Sequence, residues 1–165
     1  MAGSIYIRFA LAAAMLLAGP GFAAQGQTSK ESPAERAVIE AVISSYEAAL
    51  NASNTDAVVP LYADDGVFMP PHNRSAVGKA AVREAYAAVF KAITLRIKFN
   101  VAEVVQVAPD WAFVRTNSAG TMTLNATGAQ STEGNQELFI FKKGTDGRWK
   151  IARYSFSSTN PPPKA

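Results

Sequence analysis

The chain has 165 residues, 16 basic and 13 acidic side chains for a net charge of +3, one histidine and no cysteine. That length suits one ordinary domain able to bury a real core. The absence of cysteine excludes disulfides, thiol catalysis and thiolate metal sites; the interspersed charges, whose longest basic run is Lys142-Lys143, point to no nucleic-acid surface or membrane patch.

Residues 1–24 read as a secretory signal peptide. Arg8 precedes an apolar run from Phe9 to Ala18, and small residues lead to cleavage after Ala23 or Ala24. The run is about ten residues, where a bilayer span needs roughly twenty. The expected destination is the periplasm or the medium, with no membrane contact once the segment is removed. Without it 15 basic and 13 acidic residues remain, because Arg8 is the one charge lost. Residues 25–33 are expected to be a disordered linker, 34–158 a single folded domain and 159–165 a proline-rich tail.

Ser32-Pro33-Ala34-Glu35 is a helix start, with Ser32 as cap, Pro33 in the first turn and Glu35 completing a capping box. The predicted helix runs to about Asn51, with Ile39, Ile43, Tyr46 and Leu50 on one face. Asn51 to Asn54 break it and start a short second helix carrying Val58, Leu61 and Tyr62. Pro60 removes a backbone donor there, so a kink or one-turn break is expected. Asp64-Asp65-Gly66 reads as the end of that helix, and Val67 to Met69 as a strand stopped by Pro70-Pro71. Residues 72–77 read as a loop. Gly78 opens a third helix, Lys79 to about Ile93, with Val82, Tyr86, Val89, Phe90 and Ile93 inward.

Beyond Leu95 the hydrophobic period falls from 3.6 to 2. Strands are predicted over Ile97–Val107, Trp111–Leu124, Glu133–Lys143 and Arg148–Ser157, the last two joined by the Gly144-Thr145-Asp146-Gly147 turn. Helices first and strands last argue α+β with an antiparallel sheet under a helical lid.

Four stretches carry a family resemblance: Tyr46 with AALNASNTDAVVPLYADDGVF, VGKAAVREAY at 77–86, EVVQVAPDWAFV at 103–114 and ELFIFKKGTDGRWKIARYSF at 137–156. Together they resemble the nuclear-transport-factor-2-like superfamily, in its SnoaL-like, ketosteroid-isomerase-like branch. The last stretch is similar to small bacterial proteins of unknown function. The resemblance implies a cone: a curved sheet around a long helix, open at one end, often dimeric through the sheet's outer face. The superfamily hosts enzymes and plain binding domains alike.

Ketosteroid isomerases use an Asp base, with a Tyr and a protonated Asp stabilising the enolate oxygen. The resemblance aligns Tyr46 with that Tyr and Glu137 with the protonated acid. It puts Pro70 where the base belongs, and proline cannot take a proton. It also implies that Phe113, Arg115 and Asn117 point inward with Glu137, Phe139, Phe141, Ala152, Tyr154 and Phe156. The candidate ligand-binding set is therefore Tyr46, Phe68, Arg115, Asn117, Glu137, Phe139, Tyr154 and Phe156, a mostly apolar pocket with a few polar groups. Arg115 and Glu137 could equally form a structural ion pair, which would keep Glu137 ionised. The catalytic candidates are Tyr46, Glu137 and His72. His72 is either a substitute base near the cone's mouth or an exposed loop residue. Asp64-Asp65 is a helix end or a carboxylate dyad. One His and scattered carboxylates do not assemble a metal site, and no cofactor motif is present.

Two functional readings follow: an exported domain binding a hydrophobic small molecule, or a cofactor-free isomerase or cyclase acting on a hydrophobic carbonyl or polyketide-like substrate. A structural homodimerisation module is a third. Alternation puts Val104, Val114, Leu138, Ile140 and Ile151 on the outer face, the expected homodimer surface.

Overall fold

The structure is a computed structural model that describes residues 32–161. The expected signal peptide, most of the linker and the last four residues lie outside them. The elements run α1 (Pro33–Asn51), α2 (Thr55–Val58), a 3-10 turn (Val59–Leu61), β1 (Tyr62–Met69), β2 (Ala76–Val77), α3 (Gly78–Ala92), β3 (Ile93–Ala108), β4 (Trp111–Leu124), β5 (Gln130–Lys143) and β6 (Trp149–Ser158). They form one six-stranded sheet in the order β2-β1-β6-β5-β4-β3. The four long strands are antiparallel. β1 departs from the expected antiparallel sheet by lying parallel to β6, which makes the sheet mixed.

α1 is placed by its side chains. Ile39, Ile43, Tyr46 and Leu50 are buried on the sheet's inner face. Ser32 makes no side-chain cap bond. Glu35, expected to complete a capping box, instead accepts from Lys143 Nζ at 2.7 Å and from Trp149 Nε1. Those bonds hold its carboxyl below the ordinary value and tie the helix start to the β5–β6 hairpin. At the other end, Asn51 Nδ2 donates to Ile97 O and its Oδ1 accepts from Ile97 N, both at 2.8 Å. Glu47 Oε2 accepts from Phe99 N at 2.7 Å. β3 is an edge strand, and these three bonds occupy backbone groups that would otherwise template aggregation.

Asn54 caps α2, accepting from Ala57 N at 3.0 Å. At Pro60 the helix narrows into the 3-10 turn, as the missing backbone donor requires. Asp64-Asp65-Gly66 does not end that helix. It lies within β1, at an irregularity between Tyr62 and Val67 in the pairing with β6. Asp64 and Asp65 are exposed, and Asp64 pairs with Lys79 at 2.6 Å, which lowers its pKa.

Cross-strand partners point to the same side of a sheet, and this fixes the inner face. Val114 sits opposite Phe139, Thr116 opposite Glu137 and Ser118 opposite Asn135; all six are buried. The expected inward phase of β4 is therefore reversed. Phe113, Arg115 and Asn117 face outward, because Glu137 shares its face with Thr116. The expected outer surface changes too. Val104, paired with Val114, is buried. An irregularity between Ile140 and Phe141 sets Ile151 opposite Phe141 and buries it. Leu138 and Ile140 stay outside, beside Phe113.

Candidate functional site

The inner ends of α1, α3 and the sheet enclose a half-open cavity of about 230 Å³. Its wall is aromatic. Phe68 from β1 stacks between Tyr86 of α3 (centroids 4.7 Å apart) and Tyr154 of β6 (5.7 Å). Phe156 continues the stack at 5.7 Å from Tyr154, and Tyr46 meets Tyr154 edge-on at 5.4 Å. Leu50, Leu95, Ile97 and Pro70 add to the apolar lining. Phe139 is fully buried behind it, 4.3 Å from Tyr154.

Two polar groupings meet this wall. In the first, Tyr86 Oη bonds both Tyr62 Oη at 2.9 Å and Tyr46 Oη. Three hydroxyl protons serve two bonds, so one proton is free to point elsewhere. Burial raises the pKa of all three phenols, keeping them neutral. Tyr46 and Tyr86 line the cavity, and Tyr62 lies behind them. The second grouping is on β4 and β5. Glu137 accepts from Thr116 Oγ1 at 2.6 Å and from Ser118 Oγ at 2.5 Å. Ser118, Asn135 and Glu133 line the cavity, and Asn135 Nδ2 donates to Glu133 Oε1 at 2.9 Å. Loss of water around Glu137 raises its pKa, against the two hydroxyl bonds, with Glu133 adding to the rise.

Of the sequence-derived candidates, Tyr46, Phe68, Tyr154 and Phe156 line the cavity. Glu137 is one hydrogen bond behind it, through Ser118. Arg115 is not its partner. Arg115 Nε bonds Glu103 Oε1 at 2.6 Å on the outer face, and Asn117 is also outside. His72 is exposed with φ 60° and does not line the cavity. Tyr62, Tyr86, Ser118, Glu133 and Asn135 were not among those candidates. Tyr86 was visible as part of the α3 stripe and Tyr62 as an apolar-face residue after Pro60; Ser118, Glu133 and Asn135 required the register of β4 against β5. Among the described residues no group of three His, Asp or Glu side chains comes together to hold a metal.

A curved mixed sheet around a long helix, with an apolar cavity at one end, defines the cystatin-like, nuclear-transport-factor-2-like fold. The chain belongs to the SnoaL-like domain family, which matches residues 42–153. A ketosteroid isomerase-like protein from Erwinia carotovora atroseptica SCRI1043 is 42% identical, with TM-score 0.76, over 79% of this chain and all of the other. At the level of fold alone, the chain resembles a candidate scytalone dehydratase from Novosphingobium aromaticivorans DSM 12444 (18% identity, TM-score 0.66, 80% of this chain and 95% of the other). A cystatin-like domain of unknown function from Nostoc punctiforme PCC 73102 is similar at 16% identity and TM-score 0.65, over 80% and 82%. No curated protein matches the chain.

Proposed function

We propose that the domain binds a small, largely apolar molecule within the cone. The observation that carries this is the stack Tyr86–Phe68–Tyr154–Phe156 forming one wall of a mostly apolar cavity with a few polar groups at its lining. A volume of about 230 Å³ lies below the roughly 300–1,000 Å³ typical of drug-sized ligands, so the ligand is of one-ring size. Calorimetric titration with single-ring compounds tests the reading. Binding should be lost in Leu50→Trp, which fills the cavity. A full panel giving no heat with the parent protein overturns it.

A phenol chain with one proton to spare, two of whose hydroxyls (Tyr46 and Tyr86) belong to lining residues, favours a second reading, cofactor-free catalysis on a hydrophobic carbonyl, and the 42%-identical relative is named ketosteroid isomerase-like. Against it, Pro70 lines the cavity, and the resemblance aligns this proline with the base of that chemistry. No isomerisation of a β,γ-unsaturated ketone is expected; measurable turnover lost in Tyr46→Phe would reinstate it. We further propose export, on the apolar run of residues 9–18, and a homodimer through the outer cluster of Phe113, Leu138 and Ile140. Leu138 is 41% exposed there.

A further inference from the structure

Resting on the binding reading, one polar atom specifies the ligand further. Asn135 is 7% exposed and lines the cavity, and its Oδ1 is buried without a hydrogen-bond partner. Its orientation is fixed chemically: Nδ2 faces Glu133 Oε1 at 2.9 Å, and an ionised carboxylate only accepts. The orphan is therefore the carbonyl oxygen, an acceptor awaiting a donor. Glu133 lines the cavity beside it, and the carboxylate of Glu137 stands one hydroxyl away behind Ser118. No Lys, Arg or His is among the lining residues. The remaining wall is mostly apolar, aromatic at Tyr46, Phe68, Tyr86, Tyr154 and Phe156 and aliphatic at Leu50, Leu95 and Ile97, so the cavity's negative groups meet no built-in counter-charge.

We propose that the ligand's polar head is a protonated amine, with N–H donors on Asn135 Oδ1 and the Glu133 carboxylate and its apolar remainder against the Phe68–Tyr154 stack. A neutral hydroxyl satisfies Asn135 but leaves Glu133 without a counter-charge. A carboxylate ligand meets two like charges and an acceptor. Of the three, the amine alone meets both Asn135 Oδ1 and the Glu133 charge.

The test is calorimetric titration of the full chain at pH 7.5 with benzylamine, benzyl alcohol, toluene and benzoate. Benzylamine is expected to bind about tenfold tighter than benzyl alcohol, with benzoate silent. Glu133→Gln, an isosteric change at a half-buried position, should lower benzylamine affinity about tenfold and leave benzyl alcohol nearly unchanged. Asn135→Leu should weaken both compounds. Benzyl alcohol binding as tightly as benzylamine, or benzylamine binding insensitive to Glu133→Gln, overturns the amine assignment. If toluene and benzyl alcohol bind and benzylamine does not, the amine assignment alone fails. If none of the four binds, the cavity reading fails with it.

Discussion

Tyr86→Phe should destabilise the fold more than the same change at either neighbouring tyrosine. Tyr86 Oη is the middle of the three-hydroxyl chain, and Tyr46, Tyr62 and Tyr86 are at most 1% exposed. The substitution keeps the ring and its stacking on Phe68, so no cavity opens. It leaves two buried hydroxyls without the partner they now share. Each abandoned hydroxyl costs roughly 1–3 kcal/mol. Tyr46 lines the cavity and can recruit water there, whereas Tyr62 does not line it, so the sum falls at about 2–4 kcal/mol. Tyr46→Phe or Tyr62→Phe leaves Tyr86 bonded to the other tyrosine and should cost only about 1 kcal/mol. For a domain of this size each kcal/mol lowers Tm by about 4 °C. Expected losses are thus about 8–16 °C for Tyr86→Phe and about 4 °C for each neighbour. Urea titrations followed by the fluorescence of Trp111 and Trp149 give the free energies directly. The variant lacking all three hydroxyls should lie closer to the parent than Tyr86→Phe does, because it strands no polar group. If Tyr86→Phe costs no more than Tyr46→Phe and Tyr62→Phe, the reasoning is wrong.

Glu137 has a raised pKa from desolvation and, among the described residues, no cationic partner. An acid with a raised folded pKa binds its proton more tightly when folded. Its penalty is absent below the ordinary carboxyl pKa and grows as pH rises through the folded value. Glu137→Gln should therefore match or exceed the parent in stability at pH 7.5, the difference closing toward pH 4 in thermal melts; a loss above about 3 kcal/mol would reveal a buried counter-charge. Gly120 admits no side chain: a Cβ there would lie 2.0 Å from Arg96 O on the paired strand β3. Gly120→Ala should cost about 3 kcal/mol, the upper range for overpacking, and an unchanged denaturation midpoint would contradict that close approach. N-terminal sequencing of protein recovered from periplasm or medium should begin at Ala24 or Gln25, and an intact Met1 there would remove the export proposal. Light scattering at tens of micromolar should give twice the monomer mass and Leu138→Lys the monomer; a monomeric parent at that concentration, roughly above a specific interface's dissociation constant, sinks the dimer.

Much of the architecture is legible in the sequence. Residues 33–51 and 78–92 carry helical periodicity, and the Gly144–Gly147 turn and the β4 limits match their signals. The exceptions are places where a non-local interaction overrides the local pattern. Asp64-Asp65-Gly66 looks like punctuation, yet parallel pairing with β6 carries the chain through it as an irregular strand. Glu35 fits a capping box in sequence, but Lys143 and Trp149, more than a hundred residues away, bind it instead. The bulge in β6 is also silent in sequence, and it turns Ile151 from the expected outer surface into the core.

The phase of β4 decided the chemistry of the site. Alternation says that Arg115 and Thr116 oppose each other, but not which of them faces the helix. Resemblance put Arg115 inside, as a ligand contact or as the partner that would neutralise Glu137. The pairing of Thr116 with Glu137 puts two hydroxyls there instead, from Thr116 and Ser118, while Arg115 joins Glu103 outside. Hydroxyls satisfy a carboxylate's hydrogen bonds without cancelling its charge, so desolvation acts on Glu137 unopposed by any cation. The negative potential then extends through Ser118 toward Asn135 and Glu133 at the lining. One reversed strand thus changes the cavity from an ion-paired core to an acceptor-rich end facing an aromatic wall, and it is this acceptor-rich end that a donor-bearing ligand would complete.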